Sequence, residues 1–205
     1  MHEPWTMISG LAAPLLIDNL DTDQIMPKQF LRTIGKEGLD QGLLYDLRFD
    51  GNGQPRTDCI LNAPRQAGTR ILLAGSNFGC GSSREHAVWG LQQYGIAAVI
   101  APSYGEIFYG NALNNRLLPV VLAQDEIAML AASLAQAELP ALSIDLVAMT
   151  VTAPGSLCFP FTLAPRERQM LVEGLDMIAL TLRMQPQIAA FEARHVMAQP
   201  WMRVF

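Results

Sequence analysis

A glycine-rich segment carries the residues of this sequence that are best suited to chemistry. Residues 75–86 (Gly-Ser-Asn-Phe-Gly-Cys-Gly-Ser-Ser-Arg-Glu-His) follow an apolar strand pattern and open a helical pattern. The end of a buried strand is where α/β proteins commonly bind their ligands. Gly79 and Gly81 allow positive φ and a close approach to a ligand, and a helix start offers unpaired N–H groups to an anion. We therefore predict an anion-binding site in residues 79–84.

Two side chains of this segment, Ser82 and Arg84, could do more than bind an anion. A guanidinium can grip a carboxylate with two parallel hydrogen bonds. A serine hydroxyl can exchange a proton with a substrate carbon when N–H groups and positive charge stabilise its alkoxide. The residues by themselves leave a second interpretation open, because Ser82-Ser83-Arg84-Glu85 also matches a capping box. Taken alone, that match favours Ser82 as a helix cap.

Other chemistries fit the same segment less well. A lysine does not follow the glycines as in a P-loop, and Arg84 takes the place of the third glycine of a dinucleotide-binding motif, so nucleotide binding is disfavoured. A thiol enzyme would use Cys80 with His86, since helix starts lower thiol pKa values. No third residue that would orient His86 is evident in the sequence, so we favour His86 as a packed residue.

The elements around the segment follow the pattern of a βαβ unit. Apolar runs at 70–74 and 96–100 predict two buried parallel strands. Apolar residues at helical spacing over 87–94, followed by Gly95, predict the helix between them. Further predicted elements are a strand over 10–17, a helix over 103–115 that begins at a capping box, a strand over 118–122 and a helix capped by Asp125.

The remaining parts of the chain are expected to add antiparallel strands, two helices and one long segment with little regular structure, which we call the excursion. Alternating apolar residues over 142–146 and 157–161 predict an antiparallel hairpin. Helices are expected from Pro165 to just before Gly174 and over 187–195. Residues 35–64 are rich in turn formers and are expected to have little regular structure. The predicted fold class is α/β, a βαβ core with additional antiparallel strands, in a single domain over residues 1–205.

The composition limits the classes of function. The chain has 205 residues, 50% hydrophobic and 16% charged, with a formal net charge of -5. Acidic charge without a basic stripe argues against nucleic acid as a partner. No apolar run approaches the length of a membrane span, and no signal-type start is evident, so we expect a cytoplasmic protein. Its three cysteines and three histidines are too scattered for a metal site within this chain.

The sequence resembles a known family over nearly its whole length. Asn77-Phe78-Gly79-Cys80-Gly81-Ser82-Ser83-Arg84-Glu85-His86-Ala87 is similar to the hallmark of isopropylmalate dehydratase small subunits and of the swivelling domain of aconitases. Other matching stretches are Asn19–Leu31, Ile100-Ala101-Pro102-Ser103-Tyr104, Ile107-Phe108-Tyr109-Gly110-Asn111, Leu117-Leu118-Pro119-Val120, Gly174-Leu175-Asp176 and Leu180-Thr181-Leu182.

This resemblance implies a fold, partners and a reaction. The expected fold is a swivelling β/β/α domain that docks on a large subunit, and that subunit holds a [4Fe-4S] cluster on its own cysteines. The expected substrate is a small dicarboxylate hydroxy acid, 2-isopropylmalate, which is dehydrated to 2-isopropylmaleate and rehydrated to 3-isopropylmalate in leucine biosynthesis. By position in the motif, Ser82 matches the proton-abstracting serine and Arg84 the carboxylate-binding arginine. This reverses the preference for a helix cap, because metal-assisted dehydration needs a base and a carboxylate clamp.

The resemblance also assigns supporting residues and leaves the exact substrate open. Ser83 and Gly81 are expected at the substrate. Asp21, Thr22 and Asp23 match an Asp-Thr-Asp element near the active site, with a role as turn formers and helix caps as the alternative. Arg32 falls in a loop that contacts the variable part of the substrate, although a solvated arginine is the favoured interpretation. Val88, Gly90 and Ser76 depart from the usual pattern, which leaves citramalate, dimethylmalate or homoaconitate paralogues, or a non-catalytic anion-binding module, as alternatives.

Overall fold

A computed structural model describes residues 4–31 and 37–202. Its centre is a seven-stranded mixed sheet with the order β4-β3-β2-β1-β5-β6-β7. The strands are β1 (Met7–Leu15), β2 (Ile71–Ala74), β3 (Ala98–Ala101), β4 (Leu118–Val121), β5 (Ala141–Asp145), β6 (Thr150–Ala153) and β7 (Leu157–Pro160).

Nine α-helices and five short 3-10 helices accompany the sheet in these described residues. The α-helices are α1 (Thr22–Ile25), α2 (Leu39–Gly42), α3 (Tyr45–Arg48), α4 (His86–Tyr94), α5 (Glu106–Asn114), α6 (Gln124–Gln136), α7 (Pro165–Glu173), α8 (Met177–Leu182) and α9 (Gln185–Ala198). The 3-10 helices are Lys28–Phe30, Ile60–Asn62, Pro64–Gln66, Pro154–Ser156 and Pro200–Met202.

The parallel half of the sheet is the predicted βαβ core. Strands β1, β2, β3 and β4 pair in parallel, and α4 and α5 form the crossovers from β2 to β3 and from β3 to β4. Every residue of β2 and β3 is buried, as expected for strands covered on both faces. Gly95 ends α4 with φ 107°, so the predicted glycine cap is confirmed.

The antiparallel half is larger than the predicted hairpin. Strand β5 pairs antiparallel with β1, and β5, β6 and β7 form a meander. The Asp145 carboxylate accepts backbone N–H bonds from Val147 and Ala148, at 2.7 and 2.8 Å, and so shapes the turn between β5 and β6. The predicted α/β class with additional antiparallel strands is confirmed.

Two apolar cores lie on opposite faces of the sheet. Because side chains alternate along a strand, Leu72 and Val99 point into the core under α4, whereas Ile71 and Ile100 point into the core under α6. The excursion over 35–64 belongs to the α4 core. From residue 37 on it contains four short helical segments, so it has more regular structure than predicted, and its apolar side chains are buried against α4.

Local spacing offered side-chain caps for three helices, and the structure has none of them. Helix α4 begins at His86 without a side-chain cap, and the Ser82 hydroxyl lies against Thr22 instead. Helix α5 begins after Gly105, because the Ser103 hydroxyl accepts a hydrogen bond from the Asn77 N–H. Helix α6 begins at Gln124, one residue before the predicted cap Asp125. In the first two helices, tertiary hydrogen bonds take the hydroxyl groups that local spacing assigned to caps.

Candidate functional site

The predicted site lies where two loops meet beyond the carboxyl ends of β1 and β2. The Gly79 N–H donates to the Leu20 carbonyl at 2.8 Å, and the Thr22 N–H donates to the Cys80 carbonyl at 2.9 Å. These bonds join the loop after β1 to the glycine-rich segment after β2. Open α/β sheets bind ligands in this position. The sheet therefore brings together two motifs that lie almost 60 residues apart in the sequence.

Thr22 holds Ser82 through three contacts. Its Oγ1 lies 2.9 Å from Ser82 Oγ, accepts the Ser82 N–H at 3.1 Å and lies 3.3 Å from the Ser82 carbonyl oxygen. Thr22 is 3% exposed, whereas Ser82 is half-buried. A buried hydroxyl group that hydrogen-bonds to another residue restricts the orientation of that residue. Ser82 is thus fixed on both its backbone and its side chain.

Asp23 holds Arg84. Arg84 Nη1 lies 2.5 Å from Asp23 Oδ1, and Lys28 Nζ lies 3.2 Å from Asp23 Oδ2. Partial burial opposes ionisation of Asp23, but the hydrogen bond from Lys28 and the charge of Arg84 outweigh it and lower the pKa of the carboxyl. Because this pKa is lowered, the stabilisation from the ion pairs is present at neutral pH and is lost only as pH falls through the lowered value. The described contact uses one terminal nitrogen of Arg84, which leaves N–H groups of the guanidinium for a carboxylate ligand.

Asp21 directly precedes Thr22 and Asp23 and caps the helix that carries them. Its carboxylate accepts the Gln24 N–H at 2.7 Å, and the Gln24 side chain accepts the Asp21 N–H at 3.0 Å. This reciprocal cap begins α1, so of the alternative roles as turn former or helix cap, the contacts of Asp21 support the helix cap. Short helix α1 then presents Thr22 to Ser82 and Asp23 to Arg84.

Of the remaining predicted site residues, the structure describes Gly81 and Ser83. Gly81 is exposed with φ 96°, a backbone conformation that L side chains rarely adopt. Ser83 is exposed, and its carbonyl accepts a hydrogen bond from Asn111 at 3.4 Å. Both therefore lie next to Ser82 with accessible surface. Arg32 lies outside the described residues.

Several supporting contacts were not predicted. Lys28 is the second partner of Asp23, and Asn115 joins α4 to α5 by contacting both Trp89 Nε1 and the Glu85 carboxylate, at 3.0 and 3.2 Å. Asn19 accepts a bond from Asn77 at 2.9 Å across the two loops. These partners are distant in sequence or lie across a turn, so neither periodicity nor a local motif signals them.

The thiol-enzyme alternative gains no support from the geometry. Cys80 Sγ lies 3.5 Å from the Asn19 carbonyl oxygen, and the His86 ring packs 4.8 Å from the Trp89 ring. Among the contacts of residues 4–31 and 37–202, none joins Cys80 to His86. His86 is a packed residue, as the favoured interpretation had it.

A substitution at Gly79 tests how tightly the segment packs. Gly79 has φ 72°, and a Cβ atom there would lie 2.3 Å from the Phe108 ring. We expect Gly79→Ala to lower the free energy of unfolding by about 1–3 kcal/mol, measured by chemical denaturation. Gly110→Ala is the matched control, because a Cβ atom there meets nothing within 4 Å and the residue lies in α5. Equal stabilities of the two variants would contradict the packing argument.

A substitution at Thr22 tests the contacts with Ser82. Thr22→Val keeps the shape but leaves the Ser82 N–H without its acceptor, so we expect the free energy of unfolding to fall by about 1–2 kcal/mol. Thr22→Ser retains the hydroxyl and should restore most of this loss. Chemical denaturation of both variants measures the effect, and a valine variant as stable as the serine variant would show that the hydroxyl contacts contribute little.

Comparisons with known proteins identify the family. The model of the aconitase C-terminal domain matches residues 2–125, more than half of the chain. The model of the C-terminal domain of the 3-isopropylmalate dehydratase small subunit matches residues 177–203. The chain belongs to the family of 3-isopropylmalate dehydratase small subunits. The resemblance stated from the sequence is thereby confirmed.

Named relatives of this family cover almost all of the chain. The 3-isopropylmalate dehydratase small subunit 1 of Chromobacterium violaceum is 58% identical over 97% of this chain and 93% of its own. The small subunit of Phenylobacterium zucineum is 46% identical over 98% of both. A crystal structure of 3-isopropylmalate dehydratase (LeuD) from Methanocaldococcus jannaschii, 29% identical, superposes with a TM-score of 0.62 over 90% of this chain and 99% of that one. The family fold, an aconitase-type swivelling domain, is therefore shown.

The donor groups of this chain do not form a cluster site. Within residues 4–31 and 37–202, no three His, Cys, Asp or Glu side chains lie together as a metal-binding group. Cys59 is buried, Cys80 is half-buried and Cys158 is exposed, in separate parts of the fold. Over the same residues, no helix has the length and hydropathy to cross a membrane.

Proposed function

We propose that this chain is the small subunit of a 3-isopropylmalate dehydratase, with Ser82 as its catalytic base and Arg84 as its carboxylate clamp. The observation that carries this assignment is the arrangement on α1, where consecutive residues Thr22 and Asp23 contact Ser82 and Arg84 respectively. One short element thus sets the position of both groups. The names of relatives at 58% and 46% identity support the choice of reaction.

The proposed dehydration uses Ser82 to remove a proton. The Ser82 alkoxide takes a proton from the CH₂ carbon of 2-isopropylmalate and the C–H electrons form the double bond of 2-isopropylmaleate. The C–O bond of the neighbouring carbon breaks with its electron pair, and the departing hydroxide takes up a second proton to leave as water. In the rehydration, Ser82 returns its proton to the carbon that lost its hydroxyl, and a water molecule adds its oxygen to the other carbon and gives up one proton, which yields 3-isopropylmalate and restores the alkoxide. Serine is a weak base, so its alkoxide needs neighbouring donors and positive charge.

The surroundings of Ser82 meet this requirement. Thr22 Oγ1, at 2.9 Å, can donate its proton to the alkoxide. Arg84, two residues further on, adds positive charge and grips a substrate carboxylate through its N–H fork. Gly81 and Ser83 leave accessible backbone beside the base for the same ligand. The role of Arg32 in contacting the substrate remains a prediction from the sequence.

The proposal includes a partner and its cofactor. Relatives named small subunits imply a large-subunit partner, and membership of the aconitase family supports a [4Fe-4S] cluster on that partner. The cluster would supply the Lewis acid that withdraws the substrate hydroxyl. The side chains of this chain that would face it are Ser82 and Arg84. A single domain over residues 1–205 and a cytoplasmic location remain predictions.

Reconstitution tests the proposed function. The purified chain is combined anaerobically with a cluster-loaded large subunit, and turnover of isopropylmalate, citramalate and homocitrate is compared. We expect no activity from the chain alone and turnover of isopropylmalate above the other two diacids in the complex. Preferred turnover of citramalate or homocitrate would assign the chain to a paralogous hydro-lyase. Dicarboxylate binding without turnover in any complex would favour a non-catalytic anion-binding module.

A further inference from the structure

The C-terminal segment over residues 177–202 has an unusual surface, and we call it the C-terminal arm. It comprises α8, α9 and the 3-10 helix Pro200–Met202, and none of its residues is buried. It nevertheless carries nine large hydrophobic side chains in exposed positions. These are Met177, Ile178, Leu182, Met184, Ile188, Phe191, Met197, Trp201 and Met202. Scattered exposed hydrophobic residues are ordinary, but nine of them within 26 consecutive residues indicate an interaction surface.

The base of the arm is fixed to the fold by polar contacts. Gly174 ends α7 with φ 66°, and Asp176 caps α8 by accepting the Ala179 N–H at 2.7 Å. An ion pair between Arg183 and Glu173 then ties the end of α8 to the end of α7. The arm therefore leaves the fold in a set direction, while its nine large apolar side chains remain 39–77% exposed.

Three of the exposed apolar side chains at the start and in the first half of α9 share a face. Met184, Ile188 and Phe191 follow one another at spacings of four and three residues, which places them on one side of the helix. The Phe191 ring stacks on the His195 ring, with centroids 5.4 Å apart, and this contact extends the same face by one turn. An amphipathic helix that buries its face in a groove of a partner presents residues at this spacing.

The exposed area matches what a stable complex needs. Nine large apolar side chains that are mostly exposed present on the order of 1,000 Å² of apolar surface, and a standard interface buries about 800 Å² on each partner. Burial of that surface in water is favourable. The exposed apolar surface of the arm is therefore in the range that a specific interface buries.

The family comparison indicates which partner the arm fits. The model that describes a domain of aconitase matches residues 2–125, which contain the site, whereas the model specific to dehydratase small subunits matches residues 177–203, which contain the arm. A domain within one chain is held beside its partner domain by the linker. A separate subunit has no linker, so it lacks the high effective concentration that a linker provides. It must be held on its partner by binding energy instead. The arm matches the model of the separate small subunits, which need this additional binding energy.

We propose that the C-terminal arm is the docking surface by which this chain holds its cluster-bearing large subunit. The proposal rests on the proposed function, since it requires that subunit. The arm contributes no group to the chemistry. Its apolar face lies in a groove of the large subunit and keeps the small subunit bound to it.

The test compares two substitutions on the apolar face with two controls in the full-length chain. The double variant Ile188→Ser, Phe191→Ser removes the centre of the face. Ala193→Ser introduces a serine elsewhere on the same helix, and Met129→Ser removes an exposed hydrophobic side chain from α6. Binding to the large subunit is measured by calorimetry, and turnover of isopropylmalate is titrated with increasing large subunit. Circular dichroism checks that each variant folds.

We expect the double variant to bind the large subunit roughly 30-fold or more weakly, because hot-spot truncations at the centre of an interface have effects of this size. At saturating large subunit its kcat should equal that of the unmodified chain, and both controls should bind normally. Unchanged affinity of the double variant would overturn the proposal. So would an unmodified chain that sediments alone as a dimer which the double variant loses, because the arm would then bind a second copy. Failure of the unmodified chain to give turnover with the large subunit would instead reject the proposed function.

Discussion

Ser82→Ala is expected to lower kcat by roughly 10³-fold in the complex with the large subunit, since a positioned acid–base group contributes about 10²–10⁴-fold. The variant should fold and assemble normally, because Thr22 retains its contacts with the Ser82 backbone at 3.1 and 3.3 Å. Substrate binding should change little, since the hydroxyl acts on the proton and Arg84 binds the carboxylate. The decisive measurement is the exchange of the substrate C–H proton with D₂O.

Proton exchange separates the catalytic role of Ser82 from a structural one. When the proton held by Ser82 exchanges with D₂O before the reaction reverses, deuterium enters unreacted substrate, and we expect the alanine variant to lose this exchange together with turnover. Ser133→Ala is a suitable control, because its hydroxyl also makes one hydrogen bond, to the Pro154 carbonyl at 3.0 Å, but lies on α6 away from the site. Deuterium incorporation at the unmodified rate by the Ser82→Ala complex would exclude Ser82 as the base.

Arg84→Lys is expected to lower kcat/KM by about 10²-fold, mainly through a higher KM. Lysine keeps the positive charge but loses the planar fork that binds a carboxylate bidentately. The lost hydrogen bond to a charged group contributes about 1.5–3 kcal/mol, and the upper value corresponds to the expected change in kcat/KM. The ion pair with Asp23 can still form, because an ammonium group can donate to the same carboxylate. Initial-rate kinetics over a range of isopropylmalate concentrations measure the effect.

The control for Arg84→Lys is the same substitution at an arginine outside the candidate site. Arg56 forms a two-bond contact with Asp58, at 3.1 and 2.8 Å, on an exposed loop. Arg56→Lys therefore repeats the chemical change outside the site and should leave kcat/KM unchanged. An Arg84→Lys enzyme with normal KM would show that the fork does not bind the substrate carboxylate. Asp23→Asn removes the negative charge that pairs with Arg84 but keeps Arg84 itself. Its effect on KM therefore measures how far the position of Arg84, rather than the guanidinium group, determines substrate binding.

Much of the parallel half of the fold could be predicted from the sequence. Fully buried strands such as β2 are continuous apolar runs, and the helix between β2 and β3 ends at a glycine whose position is visible in the sequence. The three-stranded meander was predicted only as a hairpin. Its middle strand, Thr150–Ala153, alternates buried and exposed residues over only four positions, too few to stand out.

The residues of the candidate site were determined by the sequence itself, because the motif over 77–87 names Ser82 and Arg84 by type and position. Their partners were decided only by the tertiary structure. Ser82-Ser83-Arg84-Glu85 has the spacing of a cap, yet pairing of the two loops places buried Thr22 against Ser82 and Asp23 against Arg84. Local spacing describes contacts within one turn of a helix. A contact between residues 60 positions apart depends on the order of strands in the sheet, and only the folded chain specifies it.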